Sequence, residues 1–276
     1  MERDLEGDEE MKPIVFLGVI FAIGAVAQSQ PTPAEKLSPA ENITRPQGGA
    51  KEVAKPTPRL SDGKVDFGGK GVWAPIWVLD WADPKWVEKK VEVPFTAWGA
   101  EKFKERRATE SKDDPEGYCL PPGVPRYTGT PYPFQIIQLP DRVVILYEGA
   151  SHMYRVILMD KPHTDIEKLN PAWMGESRGH WEGNDTLVVD SIGFNGRTWL
   201  DYVGHPSTED LHVIEKYRRP DFNTLAYEAT IEDKQAYTKP WTTSFKVKFR
   251  ENWELLEYVC LENNRDLVHL NTKEPK

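Results

Sequence analysis

The chain has 276 residues, of which 39% are hydrophobic, 29% charged and 11% aromatic, and its formal net charge is −9. That length suits one large domain or two small ones. The balance excludes a collagen-like, wholly disordered or polytopic membrane protein, and no basic stripe offers itself to nucleic-acid phosphates. Two cysteines are too few for a disulfide-dense miniprotein or a four-cysteine zinc site.

Residues 12–27 open on Lys12, run through about 13 apolar positions and close on Ala25-Val26-Ala27, the layout of an export signal. Cleavage after Ala27 makes Gln28 the new N-terminus. The run is shorter than the ~20 residues that cross a bilayer; the alternative is an uncleaved anchor. Residues 1–10 are acidic where a signal should be basic, so Met11 is an alternative start. No cysteine follows the run, which argues against a lipoprotein. Cleavage removes two basic and six acidic side chains and leaves −5, a mild charge that selects no partner. The expected location is periplasmic or extracellular, with no integral membrane span after processing. Export puts Cys119 and Cys260 in an oxidising compartment, which favours a disulfide over two buried thiols. Such a bridge closes a loop of about 140 residues, stabilises by up to ~5 kcal/mol and ties the front of the domain to its last strand.

Residues 28–60 are rich in Pro, Lys, Glu, Gln and Ala and read as a disordered tether. Residues 61–133 read as an irregular wrap. Within it, Ser61-Asp62-Gly63-Lys64 is a turn, the stretches 71–73 and 76–79 suggest a short strand, and 95–109 has helix-forming composition. The prolines of 118–133 demand an ordered, non-helical path. From Phe134 the pattern turns to β. Four hairpins are expected: 143–148 with 152–159, 179–182 with 186–194, 211–218 with 224–232, and 243–250 with 253–260. Gly183-Asn184-Asp185 is a strong turn signal because Gly and Asn tolerate positive φ. No amphipathic helix interrupts the strands, so a parallel sheet is not expected. The fold class is mainly β: an eight-stranded antiparallel up-and-down barrel, calycin or lipocalin-like, over residues 134–276. A β-sandwich is the main rival. Links inside hairpins are short, whereas 160–178, 195–210 and 233–242 are long. In a meander the long links share one rim, the candidate mouth of a hollow barrel.

Strand alternation sorts the side chains. Asp190 shares a face with Val188, Ile192 and Phe194. If that face lines the barrel, Asp190 is a sheltered acid; the alternative puts Leu187, Val189 and Ser191 inside. Glu215 shares a face with Leu211, Val213 and Tyr217, a second inward carboxylate, with His212 on the more polar face beside the mouth. Tyr227 points inward with Leu225, Ala229 and Ile231. The loop 195–210 holds Asn195, Arg197, Trp199, Asp201, Tyr202, His205 and Glu209. The candidate catalytic set is therefore Asp190, His212, His205 and Glu215, and the candidate ligand contacts are Tyr227, Trp199, Tyr202, Phe194, Trp241 and Asn195. A carboxylate beside an imidazole suits proton transfer near neutrality. A metal at His205, His212 and Asp190 is a minority alternative, since their spacing matches no strong metal motif; otherwise no metal or cofactor is expected. His180, Glu148 and His152 sit beside the closed hairpin end and read as structural. No nucleophile elbow, phosphate loop, His-Glu-x-x-His or dinucleotide fingerprint is present.

Several segments resemble a family of exported bacterial proteins to which no activity is assigned. They are Asp62-Gly63-Lys64 with Gly71-Val72-Trp73, Cys119-Leu120-Pro121-Pro122-Gly123-Val124-Pro125, and Pro131-Tyr132-Pro133-Phe134-Gln135. Further on come Trp181-Glu182-Gly183-Asn184-Asp185-Thr186-Leu187-Val188-Val189-Asp190, Tyr237-Thr238-Lys239-Pro240-Trp241, and Glu257-Tyr258-Val259-Cys260-Leu261-Glu262-Asn263-Asn264. Members often carry a histidine after the last cysteine, where this chain has Leu261. The resemblance covers about residues 58–264 and implies export and one shared domain, but no reaction.

Three functions follow. The first is a barrel acting on a small, partly apolar or glycosidic molecule by cofactor-independent acid/base chemistry of lyase, isomerase or hydrolase type. The second is a non-catalytic binder of small molecules or carbohydrate. The third is a tethered interaction protein of the cell envelope.

Overall fold

The computed structural model describes residues 55–150, 152–262 and 264. The export signal and residues 28–54 of the expected tether lie outside them. The remaining tether residues, 55–60, contact the barrel: Lys55 pairs with Glu251 at 2.7 Å, and Thr57 Oγ1 donates to the Pro220 carbonyl at 3.0 Å.

Nine strands close into one barrel in chain order. They are β1 Val72–Ala74, β2 Phe134–Gln138, β3 Arg142–Tyr147, β4 Tyr154–Met159, β5 Glu176–Glu182, β6 Thr186–Ile192, β7 His212–Asp221, β8 Thr224–Glu232 and β9 Trp241–Arg250. β1 closes the ring, pairing with β2 on one side and β9 on the other. Every junction is antiparallel except β4–β5, which is parallel. Direction reverses at each antiparallel junction, so a closed ring of nine must contain an odd number of parallel ones. This replaces the expected eight-stranded, wholly antiparallel meander, and the closed ring excludes the sandwich. The expected strand 253–260 is an irregular tail, and β1 and β2 complete the ring in its stead. A parallel pair needs a connection that returns along the sheet. Residues 160–175 are that connection, running from one end of the barrel to the other. The links 193–211 and 233–240 share a rim, as expected, and the short β3–β4 turn joins them there, with Glu148 and His152 on it.

Alternation builds the wall. In β9 Trp241, Thr243, Phe245, Val247 and Phe249 are buried, while Lys246 and Lys248 face water. β7 and β8 repeat the pattern, with Val213, Glu215 and Tyr217, then Leu225, Tyr227, Ala229 and Ile231, turned inward. Gly183 takes φ 62° in the β5–β6 turn, as its sequence predicts. The interior is filled rather than hollow: Trp73, Phe134, Ile145, Ile157, Leu187, Tyr217, Tyr227 and Leu225 are each at most 1% exposed.

The expected wrap, residues 61–133, contributes β1 to the ring, so the barrel is not confined to 134–276; the rest of it packs on the barrel. Trp81 lies edge-on to the inward rings of Phe245 and Tyr227, with centroids 5.4 and 6.2 Å away. The helix expected over 95–109 is α1, Ala97–Ala108, and its N-cap Thr96 accepts from Gly99 N at 3.0 Å. Cys119 and Cys260 form a disulfide with Cα atoms 5.6 Å apart. It ties the wrap to the irregular tail, not to a last strand. Among the described residues, no helix is long and apolar enough to cross a membrane.

Candidate functional site: a cleft at the parallel seam

β4 and β5 pair only through Ile157–Met159 and Ser177–Gly179. Toward the loop-rich rim, Tyr154, Arg155 and Val156 have no ladder partner on the β5 side, and the wall opens there. Gly175 makes the approach to β5 tight. It takes φ 61°, and a Cβ would lie 2.6 Å from the Ile192 carbonyl oxygen, so no other residue turns the chain there without strain. The opening is a cleft of about 840 Å³, within the usual range for ligand pockets. Tyr154, Val156, Trp173 and Met174 give it apolar walls; Asn195, Arg197 and Glu209 form a polar rim; Arg155 and Ser177 lie at its floor. Tyr154 is 65% exposed and Trp173 is half-buried, and neither stacks on another ring among the described residues.

The floor belongs to a buried polar cluster inside the barrel. Arg155 donates from Nε to Ser177 Oγ at 2.9 Å and from Nη2 to Ser191 Oγ at 2.8 Å, and it forms an ion pair with Glu215. Glu215 Oε1 also accepts from Tyr217 and Tyr227 hydroxyls, each at 2.8 Å. Burial disfavours the Arg155 cation, but Glu215 reverses that and holds it well above its ordinary value. Burial, reinforced by the Glu215 charge, pushes both tyrosine phenols well up, so they stay neutral donors. Such a cluster stays rigid because its partners satisfy one another.

The four expected catalytic residues fall in three places. Asp190 points outward, correcting the expectation that it lines the interior: Leu187, Val189 and Ser191 are the inward set. β6 carries valines on both faces, so hydrophobicity alone does not orient it; on the outer wall, hydrogen-bond partners meet the carboxylate. Asp190 Oδ1 lies 2.9 Å from His212 Nε2 and 3.1 Å from His163 Nε2. The His212 hydrogen bond, against a burial penalty, lowers the Asp190 pKa, and the same bond raises that of His212. Glu215 points inward, as expected, but serves Arg155 and no histidine.

His205 is buried beneath α1, where its Nδ1 lies 2.6 Å from Asp201 Oδ2 and its ring stacks on Phe103 at 4.5 Å. Burial would raise the Asp201 pKa, yet His205 and the backbone N–H groups of Trp81 and His205 bring it below its ordinary value. His205, His212 and Asp190 are therefore not one metal site. Asp80, Asp201 and His205 do place ligand atoms within 4.8 Å of one another. Both Asp201 oxygens are already taken by hydrogen bonds from Trp81, Gly204 and His205, a loop-fixing arrangement.

Of the expected ligand contacts, Asn195 lines the cleft. Tyr227 is sealed inside against Glu215, Phe194 is 1% exposed, and Trp241 is buried beside His205. Trp199 lies under the Arg106 guanidinium at 4.6 Å, and Tyr202 sits edge-on to Trp77 at 5.4 Å. These five do not reach the cleft. The residues that do, Arg155, Tyr154 and Trp173, escape sequence reasoning in part. Arg155 alternates with the apolar Ile157 and Met159, and that misplaced charge is the one signal that marks it. Trp173 stands in a link with no periodicity.

The fold and its opening define a closed nine-stranded β-barrel with a ligand-sized cleft in its wall. No family model, curated protein or solved structure matches this chain.

Proposed function

We propose that this is an exported binding protein for a small, flat, partly apolar molecule, aryl or glycosidic, that enters the seam cleft. The observation that carries the reading is the pair of rings, Tyr154 and Trp173, standing unstacked on the walls of a cavity floored by a buried arginine. A flat ligand would stack on the rings and turn a polar group toward Asn195 and Arg197. The disulfide and the signal-like N-terminal sequence support export, as does the resemblance to an exported family. One observation favours acid/base chemistry as a second reading, namely Asp190 clasped between two imidazoles. That group stands on the outer wall and does not line the cleft, so binding without turnover is the better reading.

A thermal-shift screen of aryl carboxylates and aryl glycosides tests this, followed by titration and by mass spectrometry of the mixture. A hit should bind the wild type, and Trp173→Ala should weaken it by about ten-fold, the loss of one ring contact. Its mass should be unchanged after incubation. Binding indifferent to both Trp173→Ala and Tyr154→Ala would remove the cleft as the site. A product that disappears in Asp190→Asn would favour the acid/base reading.

A further inference from the structure

Five side chains on the outer wall alternate acid, base, acid, base, acid. Glu176 on β5 meets His163 Nδ1 at 3.0 Å, and His163 Nε2 meets Asp190 Oδ1 on β6 at 3.1 Å. His212 on β7 meets the same Asp190 oxygen at 2.9 Å through Nε2, and Glu232 on β8 at 3.2 Å through Nδ1. Arg178 on β5 completes the charged surroundings, with Nη2 at 2.6 Å from Glu176 Oε2. The row therefore crosses four strands and includes one residue, His163, from the 160–175 link.

Counting protons gives this row a condition. It has four nitrogen–carboxylate contacts on two rings, and a neutral imidazole carries a single N–H. With both rings neutral, two of the four contacts set a nitrogen lone pair against a carboxylate oxygen. All four become hydrogen bonds only when both rings carry a second proton. The two contacts of His163 hold the link, which supplies Trp173, Met174 and Gly175 to the cleft.

We propose that the row is a proton-operated clasp: His163 fastens the start of the 160–175 link to Glu176 and Asp190 on the barrel wall, His212 holds the same Asp190 oxygen from the other side, and loss of the second imidazole protons loosens the link and the Trp173 side of the cleft with it. The consequence for a ligand rests on the cleft reading above; the clasp itself does not. The sign follows from the two groups that shift. His212 is raised, so its contribution is complete below the ordinary imidazole value and is lost as pH rises through the raised one. Asp190 is lowered, so its contribution is present above the ordinary carboxylate value and is lost as pH falls through the depressed one. The Asp190–His212 half of the row thus holds between those limits and is lost on the alkaline side, the same direction in which the proton count removes donors from the row. Release is partial, because Thr164 N and Oγ1 still donate to Glu176 and Arg178 Nε still donates to the Pro162 carbonyl, none of which needs an imidazole proton.

Amide hydrogen exchange on the full chain, corrected for intrinsic rates, tests the clasp at about pH 5.5 and about pH 8.5, either side of the imidazole range. The amides of Lys168 and Ala172, bonded to Asp165 and Gly193 carbonyls, should lose about three- to ten-fold protection at the higher pH, the scale of partly exposed ion pairs. In His163→Ala they should be weakly protected at both. Strand amides such as Val247 should stay constant in both proteins. Wild-type protection in the link that ignores pH would overturn the clasp. So would protection at the higher pH that depends on added Zn²⁺ and vanishes with EDTA, since a metal would then occupy the protons' place. Trp173→Ala keeps the two readings apart: it should leave the exchange profile pH-dependent even if no ligand is ever found for the cleft.

Discussion

Replacing Arg155 by methionine removes the only cation that faces Glu215 among the described residues while keeping much of the side-chain volume. The loss is concentrated at one atom. Ser177 and Ser191 hydroxyls lie 3.1 Å apart and keep each other as partners. Glu215 Oε1 keeps both tyrosine hydroxyls. Its Oε2 loses its arginine and stays sealed, since the Glu215 side chain is 0% exposed. Breaking a buried pair from one side costs about 3–5 kcal/mol. For a folded unit of this size that is roughly 6–20 °C in Tm, a large part of a typical total stability of ~5–15 kcal/mol. Adding Glu215→Gln removes the stranded charge and leaves an acceptor for Tyr217 and Tyr227. The double variant Arg155→Met with Glu215→Gln should therefore recover at least ~2 kcal/mol over Arg155→Met alone. Urea unfolding followed by circular dichroism, run as a double-mutant cycle, measures both quantities. If Arg155→Met proves too unstable to purify, the two remaining variants still report on the pair, since Glu215→Gln alone should be less stable than the double variant. A cost below about 1 kcal/mol for Arg155→Met, or additivity within ~0.5 kcal/mol, would show that the pair is solvated and the floor of the cleft is not the sealed cluster described.

Two further outcomes concern the framework. Cys119→Ser with Cys260→Ser opens a loop spanning 141 residues and should cost up to ~5 kcal/mol on the chain-entropy model; reductant should lower the Tm of the wild type and leave the double variant unmoved. Gly99→Ala would drive a Cβ onto the Ala236 carbonyl oxygen, a backbone atom that α1 is already tied to through Thr96. The gain of ~1 kcal/mol in helix propensity should be outweighed by ~1–3 kcal/mol of overpacking. The urea midpoint should fall at constant slope, and a midpoint that rises would mean the helix stands off the 233–240 loop.

Long strands with one apolar face were legible from the residues alone. In β7, β8 and β9 the inward sets announce themselves, because polar side chains such as Lys216, Arg218, Glu228, Glu232, Lys246 and Lys248 recur on the opposite face. β6 was not, since Val188 and Val189 are adjacent and either face satisfies the pattern; only the partners waiting outside, His163 and His212, decide where Asp190 goes. β1 has three residues, too few to show a period, and it is the piece that closes the ring. The parallel junction left no trace in composition either: a link that crosses the barrel and one that stays at the rim can be equally long and equally polar. The disulfide was anticipated from compartment chemistry rather than from pattern, and its far end attaches to a tail instead of a strand. Asn195 was the one expected ligand contact to reach the cleft, because its N–H donates to the carbonyl of Ala172, a residue of the cleft lining.

The lone parallel junction behaves like the defect in an odd ring of antiferromagnetic spins. Alternating neighbours cannot be satisfied all the way round, and one mismatch must exist somewhere on the circle. No change of side chains can erase it, since it follows from the count of strands and not from their chemistry. An opening located at such a place can be relined by mutation, made larger or smaller, oily or charged, while a parallel seam must persist somewhere in the wall for as long as the ring keeps an odd membership.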